Sequence, residues 1–398
     1  MAISLNIEKT TRDVTAAHFG VMFAYKLFSL YFPLFLSGRG FSLPEVGYAY
    51  LLIYLLFAIF SPIVGFLNHK INPAKLATAG IVGYGFYSLG MIFIHSPILF
   101  YFLQAMLGIS AALFFVSIRA ILISSPIKNY ANSFGWFYSA PFYANAIAPL
   151  TGALVIWKFG FSGVFIVSLA LQFLLAILFF TRFKNQKPDF LNKSFDLAKL
   201  RRNYADVFDK LKVSRMLPFF ALSMIVLIFD GFYHAFFPLF LKSLGWSQNY
   251  ILFFLSAFSL LFLPISFLII RQFGKDGHQS ESAIIKGSLI AAIFSIVLGI
   301  FAGFMNFFII LFLFLGKAAG VYIADTARSG FVAEKLKVNS EEAGAIDSVF
   351  SPLGTALGSL ISGLLLGSLG FGLMFILGGV VAGLFGMAAG RNFLRSKK

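Results

Sequence analysis

The chain has 398 residues, of which 59% are hydrophobic and only 12% charged, with a mean hydropathy of +0.89. A soluble domain carries about twice that charged fraction and cannot hide so much apolar surface, so soluble enzyme classes are excluded and the chain belongs in lipid. The absence of cysteine removes disulfides, thiolate nucleophiles and Cys-type metal sites, and the net charge of +16 falls between apolar stretches, where it describes membrane topology and not nucleic-acid binding.

In chain order, at about 20 apolar residues per helical crossing, twelve spans are expected. They lie at about 14–37, 45–67, 74–94, 97–124, 131–157 and 162–182, then at about 216–241, 248–271, 283–304, 306–326, 342–367 and 371–390. Residues 1–13 are polar and the first span is full length, so it is expected to stay rather than be cleaved as a signal peptide. Placing the N-terminus inside puts nearly all the loop Lys and Arg on the cytoplasmic side, with only Arg39, Lys158 and Lys242 outside. This orientation makes both termini cytoplasmic in an inner or plasma membrane.

The polar stretch 183–215 separates a domain at 1–182 from one at 216–398. Its Leu197, Leu200, Tyr204, Phe208 and Leu211 recur at helical spacing among many basic residues. That pattern fits an amphipathic helix on the anionic inner leaflet, or a solvated tether whose charges enforce topology.

The two halves repeat. Phe32-Pro33-Leu34-Phe35-Leu36 with Gly40 and Ser42 matches Phe237-Pro238-Leu239-Phe240-Leu241 with Gly245 and Ser247. After spans 5 and 11, Gly160-Phe161 and Phe165 match Gly370-Phe371 and Phe375. The expected fold is therefore an all-α integral membrane protein of two pseudo-symmetric six-helix bundles.

Two parallel six-helix repeats joined by a basic cytoplasmic loop resemble the major facilitator superfamily over essentially the whole chain. That family's Gly-x-x-x-Asp-Arg-x-Gly-Arg loop between spans 2 and 3 falls on Gly65, Leu67, Asn68, His69, Lys70 and Asn72. Gly65, Leu67 and Lys70 keep the pattern, whereas His69 replaces the acid and Asn72 the second glycine. The antiporter signature of span 5 stands as Ala148-Pro149-Leu150-Thr151-Gly152, and Gln104 occupies the place of the span 4 arginine that accompanies proton-coupled efflux. Arg328 to Gly344 looks like the usual passage from span 10 to span 11. The resemblance implies a monomer, and it places spans 1, 4, 7 and 10 around a central cavity.

A charge at the bilayer centre costs at least about 2.5–3.5 kcal/mol, so each one there needs a partner or water. Lys26, Asp230 and Lys317 sit near the midpoints of spans 1, 7 and 10, which the resemblance places around one site. His234 lies one turn from Asp230, at a spacing where carboxylate and imidazole can share a coupling proton. The other reading is a fixed Lys26 to Asp230 pair that locks span 1 to span 7. Two midplane cations against one acid, with Arg119 towards the cytoplasmic end of span 4, invite an anionic substrate group onto Lys317 or Lys26. Gln104, Gly108, Phe115 and Arg119 in span 4, and Phe19, Met22, Lys26, Ser29 and Pro33 in span 1, are candidate cavity walls. Asp347 could pair with Arg328 or Arg119 across a cytoplasmic gate, or favour a helix N-terminus, and Gly65 and Lys70 are gate candidates.

Prolines 33, 141, 149, 238 and 352 bend spans that must rock. The glycines of spans 11 and 12 permit close helix contacts. No phosphate-cradling loop drives transport by ATP, and His18, His69, His95, His234 and His278 are scattered without a metal-ligand pattern. The expected function is secondary active transport of a small organic solute, anionic or amphipathic, by alternating access. A proton gradient supplies the energy, no cofactor is needed, and the partners are the solute and membrane lipids. A multidrug efflux antiporter, a lipid translocase and a non-transporting receptor are the alternatives.

Overall fold

The computed structural model describes residues 8–94, 97–125, 130–185, 216–275, 280–304, 306–335 and 340–396. Among them every regular element is helical. The basic stretch around Leu197 to Leu211, His95 and His278 lie outside the described residues.

Span 1 is two helices, α1 (Lys9–Ser29) and α2 (Phe32–Gly38). Pro33 falls in the first turn of α2, where its missing N–H is no loss. The Tyr31 hydroxyl at the break donates to the Pro149 carbonyl at 2.7 Å. Next come α3 (Leu43–Leu67), α4 (Pro73–Ile92), α5 (Pro97–Ile123) and α6 (Tyr130–Phe183). The second half holds α7 (Leu217–Ser243), α8 (Gln248–Lys275), α9 (Ser280–Phe301), α10 (Phe307–Lys335) and α11 (Ser340–Ser396).

At 1.5 Å per residue, α6 and α11 would each reach about 80 Å as one rod, far more than the roughly 30 Å of hydrocarbon. Each is instead two crossings hinged at a glycine, Gly160 (φ 69°, ψ −175°) in α6 and Gly370 (φ 72°, ψ 169°) in α11. No L side chain adopts that backbone region readily. With α1 and α2 as one crossing, the helices account for twelve.

The repeat seen in sequence has a backbone counterpart. The four positive-φ glycines among the described residues, Gly40, Gly160, Gly245 and Gly370, are the two matched pairs. Close packing repeats as well: a Cβ on Gly152 would sit 1.7 Å from the Leu27 carbonyl oxygen, and one on Gly358 would sit 1.8 Å from that of Ile228. Glycine thus lets span 5 lie on span 1, and span 11 on span 7, at backbone contact.

The chain forms two compact units, one of Met1–Phe32 with Leu56–Phe195 and the other of Pro33–Leu55 with Asp196–Lys398. In the first, α1 packs on α6, and α4 on α5 and α6. In the second, α7 and α9 pack on α11, and α10 on α7, α8 and α9. Pro33–Leu55 packs with the second unit, although in sequence it belongs to the stretch 1–182. The physical reason is small-residue contact, since a Cβ on Gly47 would lie 2.6 Å from the Ser359 carbonyl oxygen and 3.2 Å from Gly363 Cα. Two polar ties hold the same segment, Lys242 Nζ donating to Ser37 Oγ at 3.0 Å and the Tyr54 hydroxyl bonded to His234.

Candidate functional site

The midplane charges of the second unit are brought together. Asp230 on α7 and Lys317 on α10 form an ion pair, Nζ to Oδ1 at 2.5 Å. The pair is lopsided: the Lys317 side chain is 3% exposed and that of Asp230 is 37% exposed. The acid end is open while the ammonium is enclosed. Its other face lies on the Tyr233 ring, 3.7 Å from the centroid, within cation–π range. That ring is itself fixed, its hydroxyl donating to Ser295 Oγ at 2.9 Å and the rings of Phe314 and Phe375 stacked near it at centroid distances of 5.9 and 4.9 Å.

His234, one turn on from Asp230, turns to another partner. Its Nε2 bonds the Tyr54 hydroxyl at 2.9 Å, and the rings of Tyr50 and Tyr54 meet its ring at centroid distances of 5.6 and 5.9 Å. Carboxylate and imidazole therefore each have a partner of their own, on α10 and on α3. The ammonium beside Asp230 is that of Lys317, where the sequence reading weighed Lys26.

In the first unit Lys26 is half-buried, with the Tyr25 ring 5.7 Å away. No described carboxylate of that unit pairs with it; Asp13 is taken by Arg182 and Arg12. Ser29 is buried with its hydroxyl unbonded among the described residues. Gln104 is fully enclosed: its Oε1 accepts from the Tyr87 hydroxyl at 3.3 Å, and its Nε2 donates to the Phe100 carbonyl at 3.4 Å. It ties α5 to α4, where the sequence suggested a cavity wall. Arg119 is half-buried on α5.

Of the gate candidates, Arg328 is 2% exposed, donates to Asp325 Oδ1 at 2.7 Å and lies over the Phe350 ring at 4.7 Å. Asp347 is on α11 with its side chain outside the described residues. Gly65 has open space around it, and Lys70 lies over the Phe66 ring. Asn72, which stands where the family motif has glycine, caps α4 by accepting from Ala74 N at 2.8 Å and donates to the Lys184 carbonyl at 3.3 Å. That brace joins the loop after span 2 to the end of span 6.

Tyr233, Ser295, Tyr54 and Asp325 join the site only in the folded chain. Asp325 carried a signal, three residues before Arg328 on one helix face. The others touch their partners only through tertiary packing.

The family model of the Major Facilitator Superfamily matches residues 14–327. The chain belongs to the major facilitator superfamily. No curated protein matches it. This member of the superfamily is similar in structure to a POT family transporter in complex with 5-aminolevulinic acid. The TM-score is 0.80 at 14% identity, over 97% of this chain and 96% of that one. A POT family transporter with a thioalcohol-conjugated peptide gives 0.80 at 13% identity, over 99% and 98%. The nucleoside transporter NupG, in a mutant form, gives 0.79 at 11% identity, over 96% and 99%. At such identities the likeness establishes the fold alone; it is membership of the superfamily that makes the chain a multi-pass membrane transporter, and the solute follows from this chain's own residues.

Proposed function

We propose that the protein is a secondary active transporter that moves a small anionic organic solute by alternating access, coupled to protons through Asp230. The observation that carries this is the lopsided Asp230–Lys317 pair. An exposed acid beside an enclosed ammonium can accept a proton, which leaves the pair with one net positive charge. A solute anion balances that charge, which makes proton and anion enter together and the coupling a symport. Lys26, with no carboxylate paired to it in its own unit, is the second anion-attracting group. The protein works as a monomer in the inner or plasma membrane, with both termini cytoplasmic and the proton gradient as its energy source.

One observation favours a second reading. The reachable end of the pair is acidic, and the Tyr50 and Tyr54 rings flank His234 one turn away, so a cationic amphipath could compete with the proton at Asp230, giving an exporter.

The test begins with melting shifts against a library of carboxylates, phosphates and amines. Uptake of the stabilising solutes into proteoliposomes under an imposed pH gradient follows, for wild type and Asp230→Asn. Symport predicts that carboxylates or phosphates are accumulated by wild type, and that the variant exchanges them without accumulating them. Accumulation retained in Asp230→Asn refutes the coupling role, and stabilisation by amines alone selects the second reading.

A further inference from the structure

The ion pair leaves a problem at the moment Asp230 is protonated. Lys317 then has lost its anion while still enclosed at 3% exposure, and an unmatched ammonium inside the membrane is strongly disfavoured. For the lysine to keep its charge through that half of the cycle, before a solute anion arrives, another group must face it.

From the geometry we infer that the face of Tyr233 is the stand-in counter-charge of Lys317, a positioning surface that holds the ammonium in place while Asp230 carries the proton. This rests on the proton-coupling reading of Asp230. The Lys317 Nζ is 3.7 Å from the Tyr233 centroid and on the negative face of the ring. The ring cannot swing away. Its hydroxyl is bonded to Ser295 on α9 at 2.9 Å, it stacks on Phe314 of α10 at 5.9 Å, and it stacks on Phe375 of α11 at 4.9 Å. A side chain that only filled space between helices would not need clamping from α9, α10 and α11 with its face turned to the one enclosed ammonium of the pair.

The charged and titratable groups around this ammonium are few. On α7 they are Asp230, Tyr233 and, one turn on, His234, which is bonded to Tyr54 of α3. On α10, Tyr322 and Asp325 lie further towards its C-terminal end, while α9 and α11 present the neutral Ser295 and Phe375. While Asp230 is ionised, its carboxylate cancels most of the ammonium's field at the ring. Once Asp230 is protonated the ring faces the whole charge. The ring therefore stabilises the protonated state more than the ion pair, and weakening it must lower the pH at which Asp230 takes up its proton.

The experiment follows the carboxylic acid C=O infrared band of Asp230 as pH is titrated, in the full chain reconstituted in lipid, with the proton itself as probe. The band is identified by its loss in Asp230→Asn. Tyr233→Phe keeps the ring and is expected to titrate as wild type does. Progressively fluorinated phenylalanines at position 233 keep the shape and drain charge from the ring face, and the midpoint should move stepwise towards acid, by about one pH unit over the series. Tyr233→Leu should shift it at least as far. An Asp230 midpoint indifferent to fluorination overturns the inference, even if Tyr233→Leu misfolds, because the fluorinated forms preserve packing. If instead no titrating band disappears in Asp230→Asn, it is the proton-coupling reading that has failed.

Discussion

The two ends of the ion pair should differ sharply in what their removal costs. Breaking an enclosed pair from one side costs about 3–5 kcal/mol when the charge left behind stays buried. Asp230→Asn leaves Lys317 in that position at 3% exposure, with the Tyr233 face offsetting about 1–2 kcal/mol, so the net loss is about 2–3 kcal/mol. Lys317→Met leaves a carboxylate that is 37% exposed; water reaches it, and the loss falls to about 0–1 kcal/mol. At about 2–4 °C per kcal/mol for a bundle of this size, Asp230→Asn should melt about 4–12 °C below wild type and Lys317→Met at most about 4 °C below. The double variant should resemble Lys317→Met, because the orphaned ammonium is gone, which gives a coupling of about 2–3 kcal/mol in the cycle. Thermal unfolding of the four purified proteins in one detergent at neutral pH measures this directly. Equal losses in the single variants, or losses that add in the double variant, would refute the view that Lys317 is the enclosed partner.

Other expectations rest on other residues. Gly152→Ala and Gly358→Ala push a methyl group into backbone carbonyls 1.7 and 1.8 Å away and should lower stability by at least about 3 kcal/mol, whereas Gly65→Ala meets open space and should change it by less than about 0.5 kcal/mol; yield and melting of the three variants decide. Lys26→Met orphans no acid in its own unit, so the protein should melt no lower than wild type while losing about tenfold or more in affinity for the carboxylates that stabilise wild type, read as melting shift against concentration.

The fold was largely legible because the bilayer imposes it. Long apolar runs in a bilayer can satisfy their backbone as helices, and Gly40, Gly160, Gly245 and Gly370, found in sequence as matched pairs, are the four positive-φ glycines of the described residues. The site was legible as a set of residues and less so as a set of partners. Asp230 had two lysines to choose from, and burial alone does not rank them. The choice follows from α7 packing directly on α10, which spacing along the chain cannot express. Gln104 illustrates the reverse limit. Its place on a helix face suggested a cavity, but the face has two sides, and the Tyr87 hydroxyl and Phe100 carbonyl hold it on the packed one. Tyr233 carried no signal at all, being one of 15 tyrosines, and acquires meaning only from the ammonium on its face.

The allegiance of Pro33–Leu55 to the second unit bears on how such a protein can be recombined. A chimera cut once, in the basic linker, would give the incoming second half a foreign strip where Gly47 meets Ser359 and Gly363, and would replace the tyrosine that bonds His234. A functional graft needs three junctions, at 32/33, at 55/56 and in the linker, so that the strip travels with the half it packs on. The sequence repeat and the packing units thus divide the chain at different places, the repeat at the linker and the packing also at 32/33 and 55/56.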